Sequence, residues 1–266
     1  MKKTFMILIL LLIAVCAFPQ APDWQWATHA GGTDVDIGYG IAIDNAGNSY
    51  VTGYFAETAN FGSYSLTSGG WRSDIFVAKM DVNGNWLWAT QAGGTDHDVG
   101  YGITIDDVGN IYVTGWFNDI ATFGYFSLNC SGDNDIFVAK MDADGNWLWA
   151  TQAGGTFYDE GNSITIDATG NCYVTGSFGD IAFFGSYFLT SSGDWDIFVA
   201  KMDVNGNWLW ATQAGGTDHD FGYGITIDDS GNSYVTGYFE NIAFFSSYFL
   251  IGYGDNDIFV AKMDAN

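Results

Sequence analysis

The sequence predicts an all-β fold of four similar blades, on three observations. The segment Asp-Ile-Phe-Val-Ala-Lys-Met-Asp begins at Asp74, Asp135, Asp196 and Asp257, a spacing of 61 residues each time, which marks an internal repeat of one supersecondary unit. Between these copies, β-rich runs alternate with Gly/Asn/Asp turns, and no stretch has the period of an amphipathic helix. The repeats also lack proline, since Pro19 and Pro22 both precede the first copy. Four antiparallel strands per unit, apolar on both faces, describe a blade packed between two neighbours, and so a β-propeller.

The elements follow in order along the second copy. Trp86 to Gln91 reads as a strand, Ala92 to Asp98 as a loop, and Tyr101 to Asp106 resumes the strand pattern. Asp107-Val108-Gly109-Asn110 suits a tight hairpin, because Gly and Asn tolerate positive φ. Ile111 to Phe117 is the next strand, and a longer connection, Asn118 to Asn134, leads into Asp135 to Met141. The turn Asp142 to Asn146 then starts the next Trp-Leu-Trp strand. Residues 1–21 read as a signal peptide, Lys2-Lys3 followed by an apolar run from Phe5 to Ala17 that is too short for a spanning helix of ~20 residues. Residues 22–266 then form the propeller domain, with no transmembrane segment once the leader is removed.

Gly102 to Gly115, together with Asp135 to Met141 and the Ala153-Gly154-Gly155 loop, resembles the bacterial β-propeller repeat family, often called the seven-bladed propeller repeat (SBBP). The match covers residues 24–266 and recurs in every copy. The resemblance implies an exported or surface protein of a bacterium and implies no catalytic motif. It departs from the family in blade number, with four repeats where the family name suggests seven.

Strand counting predicts how a four-bladed ring closes. If the strands beginning at Tyr39, Tyr101, Asn162 and Tyr223 are innermost, the last blade lacks only its outer strand. The lone strand Trp24 to Thr28 is the missing piece, and by latching the last blade it would cover an exposed edge. The expectation is a monomeric closed ring; the competing reading, from Asn266 stopping inside an Asp-x-Asn-Gly-Asn turn, is a fragment of a longer ring.

Composition sets further limits. The chain has 266 residues, 48% hydrophobic and 18% aromatic, so it can bury a core. Its 31 Asp+Glu against 7 Lys+Arg give a formal net charge of −24, which repels phosphate and excludes nucleic acid as a partner. Cys130 and Cys172 occupy different repeat positions and read as free thiols. The Asp-x-Asn/Asp-Gly-Asn turns at Asp81, Asp142 and Asp203 lack the distal Glu of a calcium loop and read as hairpins capped by their own Asp and Asn. Lys79, Lys140, Lys201 and Lys262 read as ion-paired structural residues, and Trp86 and Trp88 as core aromatics.

His29, His97 and His219 are the only histidines, and none accompanies a nucleophile elbow. The function expected is therefore a non-enzymatic, exported binding or surface scaffold, its protein or glycan partner unnamed by the sequence. The alternative is an extracellular polymer-acting enzyme, a hydrolase or lyase, using loop carboxylates as acid and base. Asp34, Asp36, Asp96, His97, Asp98, Asp133, Asp135, Asp159, Glu160, Asp218, His219 and Asp220 should gather in loops around one mouth of the channel. Such an acidic face would attract a basic partner surface or calcium; no other cofactor is expected.

Overall fold

The computed structural model describes residues 22–265; the expected signal peptide lies outside the described residues. Each repeat builds one antiparallel unit, and two-residue ladders join the second unit, the third and the hairpin of the fourth into a 10-stranded sheet. In the first, β1 (Asp36–Ile43) pairs with β2 (Ser49–Ala56), a small hairpin of β3 (Thr58–Phe61) and β4 (Tyr64–Thr67) follows, and β5 (Ser73–Met80) and β6 (Trp86–Ala92) complete the order β1-β2-β5-β6. The second repeats this with β7 (Asp98–Ile105), β8 (Ile111–Phe117), the hairpin β9 (Ile120–Phe123) and β10 (Phe126–Asn129), β11 (Asp135–Met141) and β12 (Trp147–Gly155). In the third, β13 (Glu160–Ile166), β14 (Cys172–Phe184), β15 (Tyr187–Met202) and β16 (Trp208–Gly216) absorb the hairpin into the long β14 and β15. The fourth has β17 (Phe221–Ile227), β18 (Ser233–Phe239), the hairpin β19 (Ile242–Phe245) and β20 (Tyr248–Ile251), and β21 (Asp257–Met263).

The inner strands β1, β7, β13 and β17 lie where the sequence places them. The extra hairpin sits inside the long connection that the sequence leaves without structure. It opens in each repeat on a residue with positive φ, namely Glu57, Asp119, Asp180 or Asn241, three of them short polar side chains that tolerate this conformation.

The cores lie between consecutive sheets. Tyr50, Ile75 and Val77 of the first sheet pack with Ile103, Val113, Phe117 and Phe137 of the second. Tyr112, Ile136 and Val138 meet Ile164, Val174 and Phe198, and Tyr173, Ile197 and Val199 meet Ile225, Val235 and Phe259. The second and third sheets are thus buried on both faces because each face has a neighbour, whereas the first and fourth are covered by a neighbouring sheet on one face.

The turn end follows from local hydrogen bonding. Asp81 Oδ1 accepts the backbone N–H groups of Asn83 and Asn85, Asn85 Nδ2 donates to Asp81 Oδ2, and Gly84 takes φ 82°; the same pattern holds at Asp203 to Asn207. The repeated lysine stands over a tyrosine ring, Lys79 over Tyr50 at 4.8 Å and Lys201 over Tyr173 at 4.7 Å, with Asp44 and Asp167 beside the two lysines. Cys130 and Cys172 are unbonded thiols.

Among the described residues the sheets do not close into the ring expected from the sequence. Residues 22–30 form no strand on the last sheet, and among the described residues β21 pairs with β18 alone. The expected latch lies against the first sheet instead. Trp26 Nε1 donates to Val82 O at 3.0 Å, Gly31 bridges to Asn60, and a Cβ on Gly84 would meet the Trp26 ring at 2.9 Å. The segment takes the seat that Trp88 and Trp149 take on the sheet after their own, while the β21 edge it was expected to cover stays unpaired with it.

Candidate functional site

The register brings Asp98, Phe117 and Asp135 side by side, so the loops that carry the predicted acids do emerge at one end of the sheets. Burial divides them into two sets. Asp98, Asp135, Asp159 and Asp220 are fully buried, whereas Asp34 and Asp133 are exposed and Asp36, Asp96, His97, Glu160, Asp218 and His219 are partly so.

The buried set organises backbone. Asp98 Oδ2 accepts Gly94 N at 2.8 Å and Oδ1 accepts Asn118 N; Asp159 holds Gly155 N at 2.7 Å and Gly179 N; Asp220 holds Gly216 N at 2.6 Å and Glu240 N. Each faces a second buried aspartate from the preceding sheet, giving the pairs Asp74 with Asp98, Asp135 with Asp159, and Asp196 with Asp220. A glycine separates the two carboxylates. A Cβ on Gly154, at φ 146°, would lie 2.6 Å from Asp135 Oδ1 and 2.8 Å from Asp159 Oδ2. Burial pushes Asp98 and Asp159 up to about 8, against the pull of their amide donors and with a further push from the facing aspartate. Asp220 rises to about 7 for the same reason, and Asp74 and Asp196 to about 6.

The exposed set is interleaved with aromatics and the two described histidines of this end. His97 Nε2 lies 2.9 Å from Arg72 Nη1 and its Nδ1 2.9 Å from Ser73 Oγ. His219 Nε2 is 3.4 Å from Asp194 Oδ2, and its ring lies 4.9 Å from that of Trp195. Trp71, Phe157 and Tyr158 stand out from the same loops into solvent.

On the first two strands of each repeat the copies stop being equivalent. Three of them pair an apolar residue with an aromatic across these strands, Ile37 with Tyr54, Val99 with Trp116 and Phe221 with Tyr238. The third repeat pairs Glu160 with Ser177 instead, and Asn162 replaces the tyrosine found at Tyr39, Tyr101 and Tyr223. Burial raises Glu160 above the usual carboxylate range. The buried Ser177 Oγ has no hydrogen-bond partner. Tyr39 and Tyr101 meet edge to face at 4.9 Å, and Tyr101, which accepts Trp116 Nε1 at 3.1 Å, is pushed to about 12 by burial, with the Glu160 charge adding to the shift. Comparing the four copies column by column would have exposed this break; reading them for their likeness hid it.

The Beta-propeller repeat family model matches residues 25–54, 87–118, 148–177 and 209–238, once in each repeat. The chain is a β-propeller repeat protein. Over 85% of its length it is 25% identical to an uncharacterized WD repeat-containing protein of Acanthamoeba polyphaga mimivirus, and over 64% it is 27% identical to the regulatory protein FlaEY of Caulobacter vibrioides. It spans only 21% and 18% of those two proteins. A crystal structure of a protein of unknown function from Bacteroides caccae matches 75% of this chain and 52% of its own, at 13% identity and a TM-score of 0.40.

Proposed function

We propose that this propeller-repeat protein is an exported, non-enzymatic scaffold whose loop end docks a basic protein surface, with a lysine or arginine of the partner entering the axial mouth beside Glu160. In this reading the four sheets are propeller blades, and a ring forms when a Trp-x-Trp strand pairs with the β21 edge. The observation that carries the proposal is the third blade's departure from the repeat. Burying Glu160 and an unpartnered Ser177 hydroxyl costs stability that an apolar and aromatic pair would not. A cation fits this spot, because a half-buried carboxylate among tyrosine rings offers both charge and π-faces. Around it, Asp34, Asp96, Asp133 and Asp218 supply long-range attraction.

Calcium is a poorer fit to the buried pairs. Both oxygens of Asp98, Asp159 and Asp220 already accept backbone amides, and calcium takes 6–8 oxygen ligands. The histidines are tied to Arg72, Ser73 and Asp194, which supports a docking role over acid–base chemistry.

The test is calorimetric titration with a lysine-rich peptide. Binding should weaken with salt and drop at least tenfold in Glu160→Gln, while Asp133→Asn reduces mainly the salt dependence. Binding that is indifferent to Glu160→Gln would remove the axial mouth from the proposal, and no binding at low salt would end it.

A further inference from the structure

The two ends of the arc are the two halves of an interface that occurs three times inside it. Ile41 on the first blade is 67% exposed, whereas its counterparts Ile103, Ile164 and Ile225 are 8%, 6% and 9% exposed. At the other end Ile258 and Val260 are 83% and 75% exposed, whereas Ile136 and Val138 at the same repeat positions are 0%. The buried carboxylate pairs run out in the same way. Asp36 Oδ1 is buried without a partner, and the aspartate that would face it by repeat position, Asp257, lies at the far end.

The N-terminal segment carries the same message. A Cβ on Gly84 would meet the Trp26 ring at 2.9 Å, as one on Gly145 would meet Trp88 at 3.3 Å and one on Gly206 would meet Trp149 at 3.0 Å. Trp26 Nε1 donates to Val82 O as Trp149 Nε1 does to Val204 O. Trp24 to Thr28 therefore lies where the outer strand of a preceding blade belongs, with that blade's other three strands missing. The last blade is such a three-stranded blade, and beside its open edge lies a groove of about 780 Å³ lined by Thr212, Phe245, Leu250, Val260 and Lys262.

We propose that a second copy of this chain docks head to tail, its Trp24–Ala30 segment adding as the outer strand to β21 and its first blade covering the last. This rests on reading the sheets as blades. The register is fixed by the three internal examples, in which Ile75, Val77 and Lys79 face Ala92, Thr90 and Trp88. Across the joint, Ile258 pairs with Ala30, Val260 with Thr28, and Lys262 with Trp26. The chain's own segment does not serve here: it packs on Gly84 of the first sheet and forms no ladder with β21. A copy covers both faces without disturbing any of these contacts. The contact is heterologous, so it propagates until rotation brings the last blade back to the first. One residue differs from the internal pattern. Where Gln91, Gln152 and Gln213 donate to Asp74, Asp135 and Asp196, the donated strand brings His29 towards Asp257.

The test is light scattering on the full chain expressed with its own leader, over a wide concentration range. The mass should exceed one copy and rise with concentration. Val260→Lys removes the acceptor edge at an exposed position and should give single copies; deleting residues 23–29 removes the donor and should do the same. An equimolar mixture of these two variants keeps one good edge and one good strand, and should form a species of two copies. His29→Gln should retain the wild-type mass. Trp26→Ala, a milder donor variant, guards against misfolding of the deletion. The proposal fails if the wild type stays a single copy throughout, or if Val260→Lys leaves the mass unchanged. A single copy with slow amide exchange at Ile258, Val260 and Lys262 would assign the strand to its own chain and overturn the second copy. None of these readouts uses the basic peptide, so failure here leaves the docking proposal standing, and the reverse holds too.

Discussion

The two ends of the sheets use the same residue, aspartate, in opposite electrostatic states. At the turn end, Asp81 and Asp203 sit in solvent and collect hydrogen bonds first from the following Asn side chain and then from backbone amides, which holds them below the ordinary carboxylate range. Asp228, held by Asn232 in the same way, falls to about 2. At the loop end, aspartates collect amide donors as well, yet burial and a facing carboxylate win, and Asp98 and Asp159 rise to about 8. A hydrogen bond to a carboxylate lowers its pKa at both ends, but at the loop end desolvation raises it by more. The formal charge of −24 assumes every acid ionised, so near neutrality the folded protein carries less.

Substitutions should break this comparison at the loop end first. Asp159→Ala leaves the amides of Gly155 and Gly179 buried without acceptors, and we expect a loss of about 2–4 kcal/mol in urea denaturation. Asp159→Asn keeps the shape and one acceptor oxygen, so only one of the two amides loses its partner and the cost at pH 7 should be clearly less. Equal losses in the two variants would mean that Asp159 needs both oxygens as acceptors.

The pH profile is the next largest effect. A carboxyl whose pKa rises on folding binds its proton more tightly in the folded state, so its contribution is complete below the unfolded value near 4 and is lost as pH rises towards the folded value. Asp98, Asp159 and Asp220, at about 8, 8 and 7, should therefore make the melting temperature fall between pH 5 and 8. The slope is at most about 1.4 kcal/mol per pH unit for each group, and Asp159→Asn should flatten it. A level profile across this window would contradict the protonated pairs.

The turn end should give the smallest and opposite response. Asp203 has a lowered pKa, so its contribution is present above pH 4 and disappears as pH falls through the folded value. Asp203→Ala should lower the melting temperature less than either Asp159 variant does, with the difference from wild type shrinking as the pH falls below 4. A larger loss than in Asp159→Ala would invert the ranking of the two ends.

What the sequence discloses follows the same division. The strands, their order and the Asp-x-Asn-Gly-Asn turns are legible because their causes are local: alternation, glycine at positive φ, and an Asp bonding its own next few residues. The hairpin Thr58–Thr67 was hidden in a long connection, since strands of four residues are too short for a periodic signal. Asp96-His97-Asp98 reads as one exposed acidic run, yet Asp96 faces solvent and Asp98 does not. Only the packing of one blade on the next separates them. The seat of Trp26 is likewise tertiary, because the sequence shows a spare strand but not which end of the arc holds it.

The Trp-Leu-Trp strand that completes each of the first three sheets opens the next sequence unit, so every unit straddles two sheets. Inserting or removing 61 residues would therefore recreate the same sheet-to-sheet junction. Length is a neutral variable within this repeat. Unequal recombination between near-identical units could lengthen or shorten the protein by whole units without altering any junction.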